Sequence, residues 1–146
     1  MIFTIGFTQK NAEKFFELLT ENKVDLVIDI RLNNTSQLAG FAKFPDLQFF
    51  LKKICSIDYV HDTLLSPTEK LLKDYKNKRI SWNEYEDVFE KIMAERNIEQ
   101  YIENKYSKYG GLNVCLLCSE PTEDQCHRRL VAEYFRMILK MQVVHL

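Results

Sequence analysis

Five apolar runs alternate with stretches of helical periodicity. Ile2–Ile5 predicts a strand halted by Gly6, and a helix follows from about Asn11 to Glu21. Phe15, Leu18, Leu19 and the neighbouring Phe16 mark its buried side. Val24–Ile30 is a second strand whose near-continuous apolar run suits a parallel strand covered on both faces. Pro45 opens a second helix, because its fixed φ fits a first turn and its missing N–H costs nothing there. Leu47, Phe50, Leu51 and Ile54 follow at i, i+3, i+4 and i+7. Ile57–Val60 is a short third strand, Leu112–Cys118 the strongest strand and Gln142–Leu146 a fifth. Before that fifth strand, Thr122-Glu123-Asp124-Gln125 has the form of a capping box. The helix it predicts runs to about Lys140, with Leu130, Val131, Tyr134, Phe135 and Ile138 on the apolar side.

Residues 62–109 read differently. They are rich in acids and bases and carry no strand-like run, which suits solvated helical faces. Ser66-Pro67-Thr68-Glu69 and Ser81-Trp82-Asn83-Glu84 each place Ser at a cap with Glu three residues on. Trp82, Tyr85, Val88, Phe89, Ile92 and Met93 form an apolar stripe after the second, and a further helix covers Asn97–Tyr106. The alternation argues an α/β fold: a three-layer, Rossmann-like domain of about five mostly parallel strands with helices on both faces. The expected strand order is 3-2-1-4-5, in one domain spanning 1–146 with 62–109 as a helical insertion before strand four.

Composition narrows the class. The 146 residues include 20 Lys+Arg and 21 Asp+Glu, a formal net charge of −1, which excludes a globally basic nucleic-acid coat. Four Gly, three Pro and no low-complexity stretch exclude a linker-rich or collagen-like chain. No apolar run approaches the roughly 20 residues of a membrane span. Met1-Ile2-Phe3-Thr4-Ile5 has no basic leader, so the expectation is no secretory signal and a cytoplasmic protein whose four cysteines are thiols.

In an open parallel sheet, ligands bind beyond the carboxyl ends of the strands, where strand order reverses. Thr4 to Thr8 leave strand one, Asp29 and Arg31 end strand two with Ser36 downstream, and Tyr59 and His61 leave strand three. Cys118, Ser119 and Glu120 leave strand four, and Cys126-His127-Arg128-Arg129 fill the first turn of the last helix. Reactive side chains therefore converge on one edge. The helix start attracts anions, Arg31 and Arg128 offer bidentate contacts, and the same field favours a Cys126 thiolate. Asp29 and Glu120 are candidate bases, His127 a candidate acid or base, and Cys118 or Cys126 a candidate nucleophile. Thr4, Thr8, Ser36 and Tyr59 join Arg31 and Arg128 as candidate substrate-binding residues.

Each residue also has a plainer reading. Asp29 and Arg31, two apart on a strand, share a face and can simply support each other; Glu120 can neutralise Arg31; Cys126 can be a small buried residue. A phosphatase-type loop of Cys, five residues and Arg is absent, since Asp124 stands at the Arg position after Cys118. A Gly-rich nucleotide fingerprint and a deaminase zinc pattern are absent too. Cys115-Leu116-Leu117-Cys118 has CxxC spacing, but within a strand its two sulfurs face opposite ways. Cys118, Glu120, Cys126 and His127 can surround a metal only through the fold, so neither metal nor cofactor is expected.

With these residues in view, the chain resembles domain-of-unknown-function family 488 of bacteria and archaea, over nearly its full length. The matching pieces are Thr4-Ile5-Gly6, Asp29-Ile30-Arg31 with Ser36, Ile57-Asp58-Tyr59, and Leu116-Leu117-Cys118-Ser119-Glu120 followed by Cys126-His127-Arg128. The last block is the most specific. Departures are Phe7-Thr8 where the family has His-Ser, Asn34 in place of a Pro, and Leu64-Leu65 in place of Leu-Gly. The resemblance implies an α/β fold with a polar site built from these motifs and brings no settled activity. The expected function is an enzyme acting on an anionic substrate: a nucleotide, phosphoester or nucleic-acid end. The alternative is a non-catalytic nucleotide- or partner-binding module. No membrane partner is expected.

Overall fold

The computed structural model describes residues 1–35 and 39–146. The strands are β1 (Ile2–Gly6), β2 (Leu26–Asp29), β3 (Asp58–His61), β4 (Val114–Cys118) and β5 (Val143–His145). The helices are α1 (Ala12–Glu21), α2 (Asp46–Cys55), α3 (Glu69–Lys76), α4 (Trp82–Glu95), α5 (Ile98–Tyr106) and α6 (His127–Leu139). Every strand pairing is parallel, and the five strands form one sheet in the order β3-β2-β4-β1-β5.

That order corrects the expected 3-2-1-4-5. The neighbours β1 and β4 are as expected, with Gly6 opposite Cys118, but β4 also separates β1 from β2, with Asp29 opposite Leu117. The physical reason is that a parallel strand apolar on both faces fits any interior slot. The wholly buried β4 takes the central one.

Side-chain alternation divides the interior in two. Phe3, Ile5, Val27, Cys115 and Leu117 pack beneath α1 and α2 against Phe15, Leu19, Leu47 and Leu51. Ile2, Ile28, Val114 and Leu116 point the other way, into a larger core with Tyr85, Phe89, Ile102, Val131 and Phe135 from α4, α5 and α6. Helices thus cover both faces of the sheet. The connections leaving β1 and β2 pass over the α1/α2 face, whereas the chain leaving β4 enters α6 on the opposite face. Strand β4 is therefore flanked on both sides by chain turning away from it, which opens a crevice at its carboxyl end.

Two helix starts differ from expectation. Helix α3 is capped by Thr68, whose side chain accepts from the Leu71 N–H, not by Ser66. The Ser66 hydroxyl instead donates to the Thr63 carbonyl and closes a 3-10 turn. Helix α6 begins at His127 with Cys126 as its N-cap, so Thr122–Gln125 lies outside it as a loop. The cause is close packing at Gly6: the Glu120 carbonyl oxygen lies where a Cβ on Gly6 would sit, and it accepts from Arg128 Nη1 at 2.5 Å. Residues 119–125 must cross β1 before the helix can start. The capping box at Ser81 forms as read. On α2, Leu47 and Leu51 are buried but Ile54 is 71% exposed, so the periodic stripe is only half covered. Among the described residues no helix is long and apolar enough to cross a membrane.

Candidate functional site

Strand β4 delivers Cys118 to the crevice, and its odd spacing from Cys115 sends the two sulfurs to opposite faces. Cys115 lies in the α1/α2 core, where burial pushes its thiol up. Cys118 meets the first residues of α6: its Sγ is 3.6 Å from His127 Nδ1. Cys118, Cys126 and His127 are all buried, and their ligand-capable atoms lie within 4.8 Å of one another.

The three groups polarise each other. The bond with Cys126 holds the Cys118 thiol well below its ordinary range against the opposing effect of burial, with His127 and the Ser119 N–H contributing. Cys126 is pushed up by that bond, then by burial and by the charge on Cys118, so it stays protonated. Burial works against charge on His127, yet the Cys118 charge and bond together with the Ile30 carbonyl raise it. A carbonyl oxygen can only accept, so the 2.9 Å contact to Ile30 fixes a proton on Nε2 and turns Nδ1 toward the sulfur. The directions of these shifts favour negative charge on the Cys118 sulfur and positive charge on the His127 ring beside it.

Strand β2 supplies the second half. Asp29 is fully buried and accepts from Arg31 Nε at 2.8 Å, Arg31 Nη2 at 2.6 Å, the Arg31 N–H at 3.2 Å and the Tyr59 hydroxyl at 2.7 Å. Tyr59 in turn accepts from Asn34 Nδ2 at 2.9 Å. Burial, followed by the charge of Asp29 and its bond, pushes the Tyr59 hydroxyl up, so it remains a donor. Asp29 is thus committed to holding Arg31, whose guanidinium also lies 5.4 Å from the Phe7 ring centre. One nitrogen is left over: Arg31 Nη1 is buried without a hydrogen-bond partner among the described residues.

A cavity of about 250 Å³ joins the two halves, lined by Arg31, Cys118, Ser119, Glu120, Cys126 and His127. The insertion contributes further lining through Leu72, Tyr75, Trp82 and Tyr85. Trp82 stacks on Tyr85 at 4.9 Å, and Tyr75 donates to Gln125 Oε1 at 2.9 Å, tying α3 to the loop before α6. In the sequence Tyr75 on α3 carries no signal, and Trp82 and Tyr85 read only as part of a core stripe. Their spacing on α4 was visible, but nothing local said that they face a cavity.

The remaining candidates are dispersed. Thr4 is buried within β1, its Oγ1 2.7 Å from His145 Nδ1, and does not line the cavity. Thr8 is exposed, and its N–H donates to the Ser119 carbonyl. Glu120 lines the cavity with an exposed side chain and does not pair with Arg31, which Asp29 holds. Arg128 is fully buried outside the cavity lining, and its Nε and Nη2 have no partner among the described residues. Ser36 lies outside the described residues.

Among known protein families, the model described as "Domain of unknown function DUF488" matches residues 11–135. Neither a search of curated proteins nor one of solved structures found a match.

Proposed function

Because the chain belongs to the DUF488 family, whose description names no activity, we propose a function from the site: an enzyme acting on a small anionic substrate. The substrate is a phosphorylated compound, such as a nucleotide, a phosphoester or a nucleic-acid end. One observation carries the reading. The same cavity is lined by Cys118, whose thiol is held low, and by Arg31, whose buried Nη1 has no hydrogen-bond partner among the described residues.

The guanidinium is oriented by Asp29 and Tyr59, and its spare Nη1 offers a charge-assisted bond to an anionic oxygen. The first turn of α6 adds N–H groups and the positive end of its dipole. Trp82 and Tyr75 give the opposite wall flat apolar surface for a base or sugar. About 250 Å³ fits a phosphoryl group with part of its carrier, not a duplex. Cys118 is the centre of reactivity, and His127 and Cys126 set its charge state. Four free cysteines suit a reducing compartment such as the cytoplasm. A non-catalytic module would use the same anion pocket; the activated sulfur favours an enzyme, since anion binding alone does not require it.

The test is calorimetric titration with inorganic phosphate, nucleoside phosphates and sugar phosphates, followed by product analysis. Arg31→Lys keeps the pairing with Asp29 but removes the spare donor. It should weaken binding about 10- to 100-fold with the circular dichroism spectrum unchanged. Cys118→Ser should bind and not turn over. Failure of every phosphorylated compound to bind, or binding indifferent to Arg31→Lys, overturns the anion pocket. A ligand that always emerges unchanged establishes the binding module instead.

A further inference from the structure

The Cys118–Cys126–His127 cluster has the composition and geometry of a metal site, which spacing along the chain hides. Two ligands are consecutive, at the N-cap and first residue of α6, and the third is the last residue of β4. A tetrahedral ion with metal–sulfur bonds of about 2.3 Å and metal–nitrogen bonds of about 2.0–2.1 Å holds a sulfur and a nitrogen ligand about 3.6 Å apart. The Cys118 Sγ to His127 Nδ1 separation is 3.6 Å. All three donor atoms fall within 4.8 Å of one another, so a side-chain adjustment of about 1 Å brings them onto one ion.

A second observation concerns the outer partner of the histidine. Metal-ligating imidazoles donate their other N–H to a carbonyl or carboxylate, which fixes the ring and its tautomer. His127 does this through Nε2 to the Ile30 carbonyl at 2.9 Å, leaving Nδ1 aimed at Cys118. The chain supplying that carbonyl is itself anchored, since the Ile30 N–H donates to the Leu117 carbonyl at 3.1 Å. Both the ligands and their support therefore sit on sheet and helix ends.

We infer that Cys118, Cys126 and His127 bind one borderline-soft divalent cation of the zinc class, with its fourth coordination position open to the cavity. Two thiolates and an imidazole select such an ion over magnesium or calcium, which take oxygen ligands. Three protein ligands and an open position are the arrangement of a metal centre that meets substrate. Arg31 lines the same cavity, so an anion held by its guanidinium shares that cavity with the open position. The inference rests on the proposed function only for the anion and moves its reactive centre: binding the ion displaces the Cys126 proton, Cys118 becomes a ligand, and the ion, in place of the Cys118 sulfur, meets the substrate.

The test uses the full chain, stripped of metal with a chelator under reducing conditions and titrated with cobalt(II). One equivalent should produce thiolate-to-cobalt charge transfer and the intense visible bands of a tetrahedral centre, and zinc should displace them. Cys118→Ser and Cys126→Ser should each weaken cobalt binding by at least the roughly 10- to 100-fold that loss of an outer partner costs. Cys55→Ser and Cys115→Ser should leave it unchanged. Should the serine variants misfold, the wild type provides a second readout: zinc should protect Cys118, but not Cys55, from iodoacetamide. Absent tetrahedral bands, bands that depend on Cys55, or no protection overturn the inference. Anion binding that persists without metal binding fells this inference alone, and metal binding without anion binding fells only the anion pocket.

Discussion

The chemistry of the four cysteines follows from what each sulfur faces. Cys115 and Cys118 are three residues apart on one strand, yet burial pushes the first up while a donor set holds the second down. Partial burial also raises Cys55, the one cysteine that is half-exposed. In the metal-free protein, iodoacetamide at pH 7 should therefore label Cys118 first, through the cavity, although Cys55 is more exposed. An ordinary thiol with a pKa of about 8.5 is only a few per cent ionised at that pH. Peptide mapping by mass spectrometry after brief labelling checks this, and Cys55 or Cys115 reacting first would contradict it. The sign of the pH dependence is set by the pair. The lowered Cys118 favours the folded state above the ordinary thiol pKa and loses that contribution as pH falls through its folded value. The raised His127 favours it below the ordinary imidazole pKa and loses it as pH rises through its folded value. The ion pair is full between those two folded values, and labelling should fall only when acid protonates Cys118.

Among the elements, the passage from β4 into α6 decides the geometry of the site. The chain must bend over the end of β1, and it does so at the only kind of residue that leaves room. A Cβ at Gly6 would collide with the Glu120 carbonyl and stand 2.6 Å from Arg128 Nη1. Neither neighbour yields easily, because one is backbone and the other belongs to a fully buried side chain. Gly6→Ala should cost about 2–4 kcal/mol, in the range of overpacking with loss of a buried charge-assisted bond. It should also displace Ser119–Gln125 and disturb the Cys118–Cys126 contact. Urea unfolding together with the Cys118 labelling rate would check this; stability within about 0.5 kcal/mol of wild type would mean that the loop has slack. The two helix starts that depart from the local sequence signal share one cause. A capping box is a local signal, and at Ser66 and Thr122 the same side chains or the same stretch of backbone were needed elsewhere.

For the molecule as a whole, the insertion is part of the site and not an ornament on the sheet. Helices α3 and α4 close the cavity, and α5 is tied to the end of β3 by Asp62. That buried carboxylate accepts from Tyr101 at 2.8 Å, Lys105 at 2.8 Å, Tyr106 at 2.5 Å and the Leu64 N–H at 3.2 Å. Burial pushes its carboxyl up, but the bonds from Lys105, Tyr106 and Tyr101 outweigh burial and hold it below the ordinary range. Its folded pKa is depressed, so its contribution to stability is present above the unfolded pKa of about 3.9 and is lost as pH falls through the folded value. Asp62→Asn should destabilise the protein by about 1–3 kcal/mol near neutral pH. It should also flatten the acid limb of stability against pH below about 4. Chemical denaturation at several pH values checks both, and an unchanged acid limb would refute the assignment.

Amphipathic period, Pro and Gly punctuation and the Ser81 box placed the strands and helices to within a few residues, because those signals are local. The α/β layering followed, as did the convergence of Cys118, Cys126, His127 and Arg31 near one edge, since the carboxyl ends of parallel strands share a side. Strand order did not follow: an apolar strand covered on both faces has no local feature naming its neighbours, and β4 took the centre through packing alone. Asp29 looked like a base and is saturated by donors, a fact that depends on Tyr59, 30 residues away. The insertion read as solvated charge because its cavity-facing side is aromatic, the same composition that a core stripe has. The Cys118–Cys126–His127 cluster lacks spaced ligand motifs since β4 and α6 bring its members together across a loop. Local energetics choose the elements; long-range packing chooses their neighbours, and chemistry that needs three side chains within 4.8 Å belongs to the second.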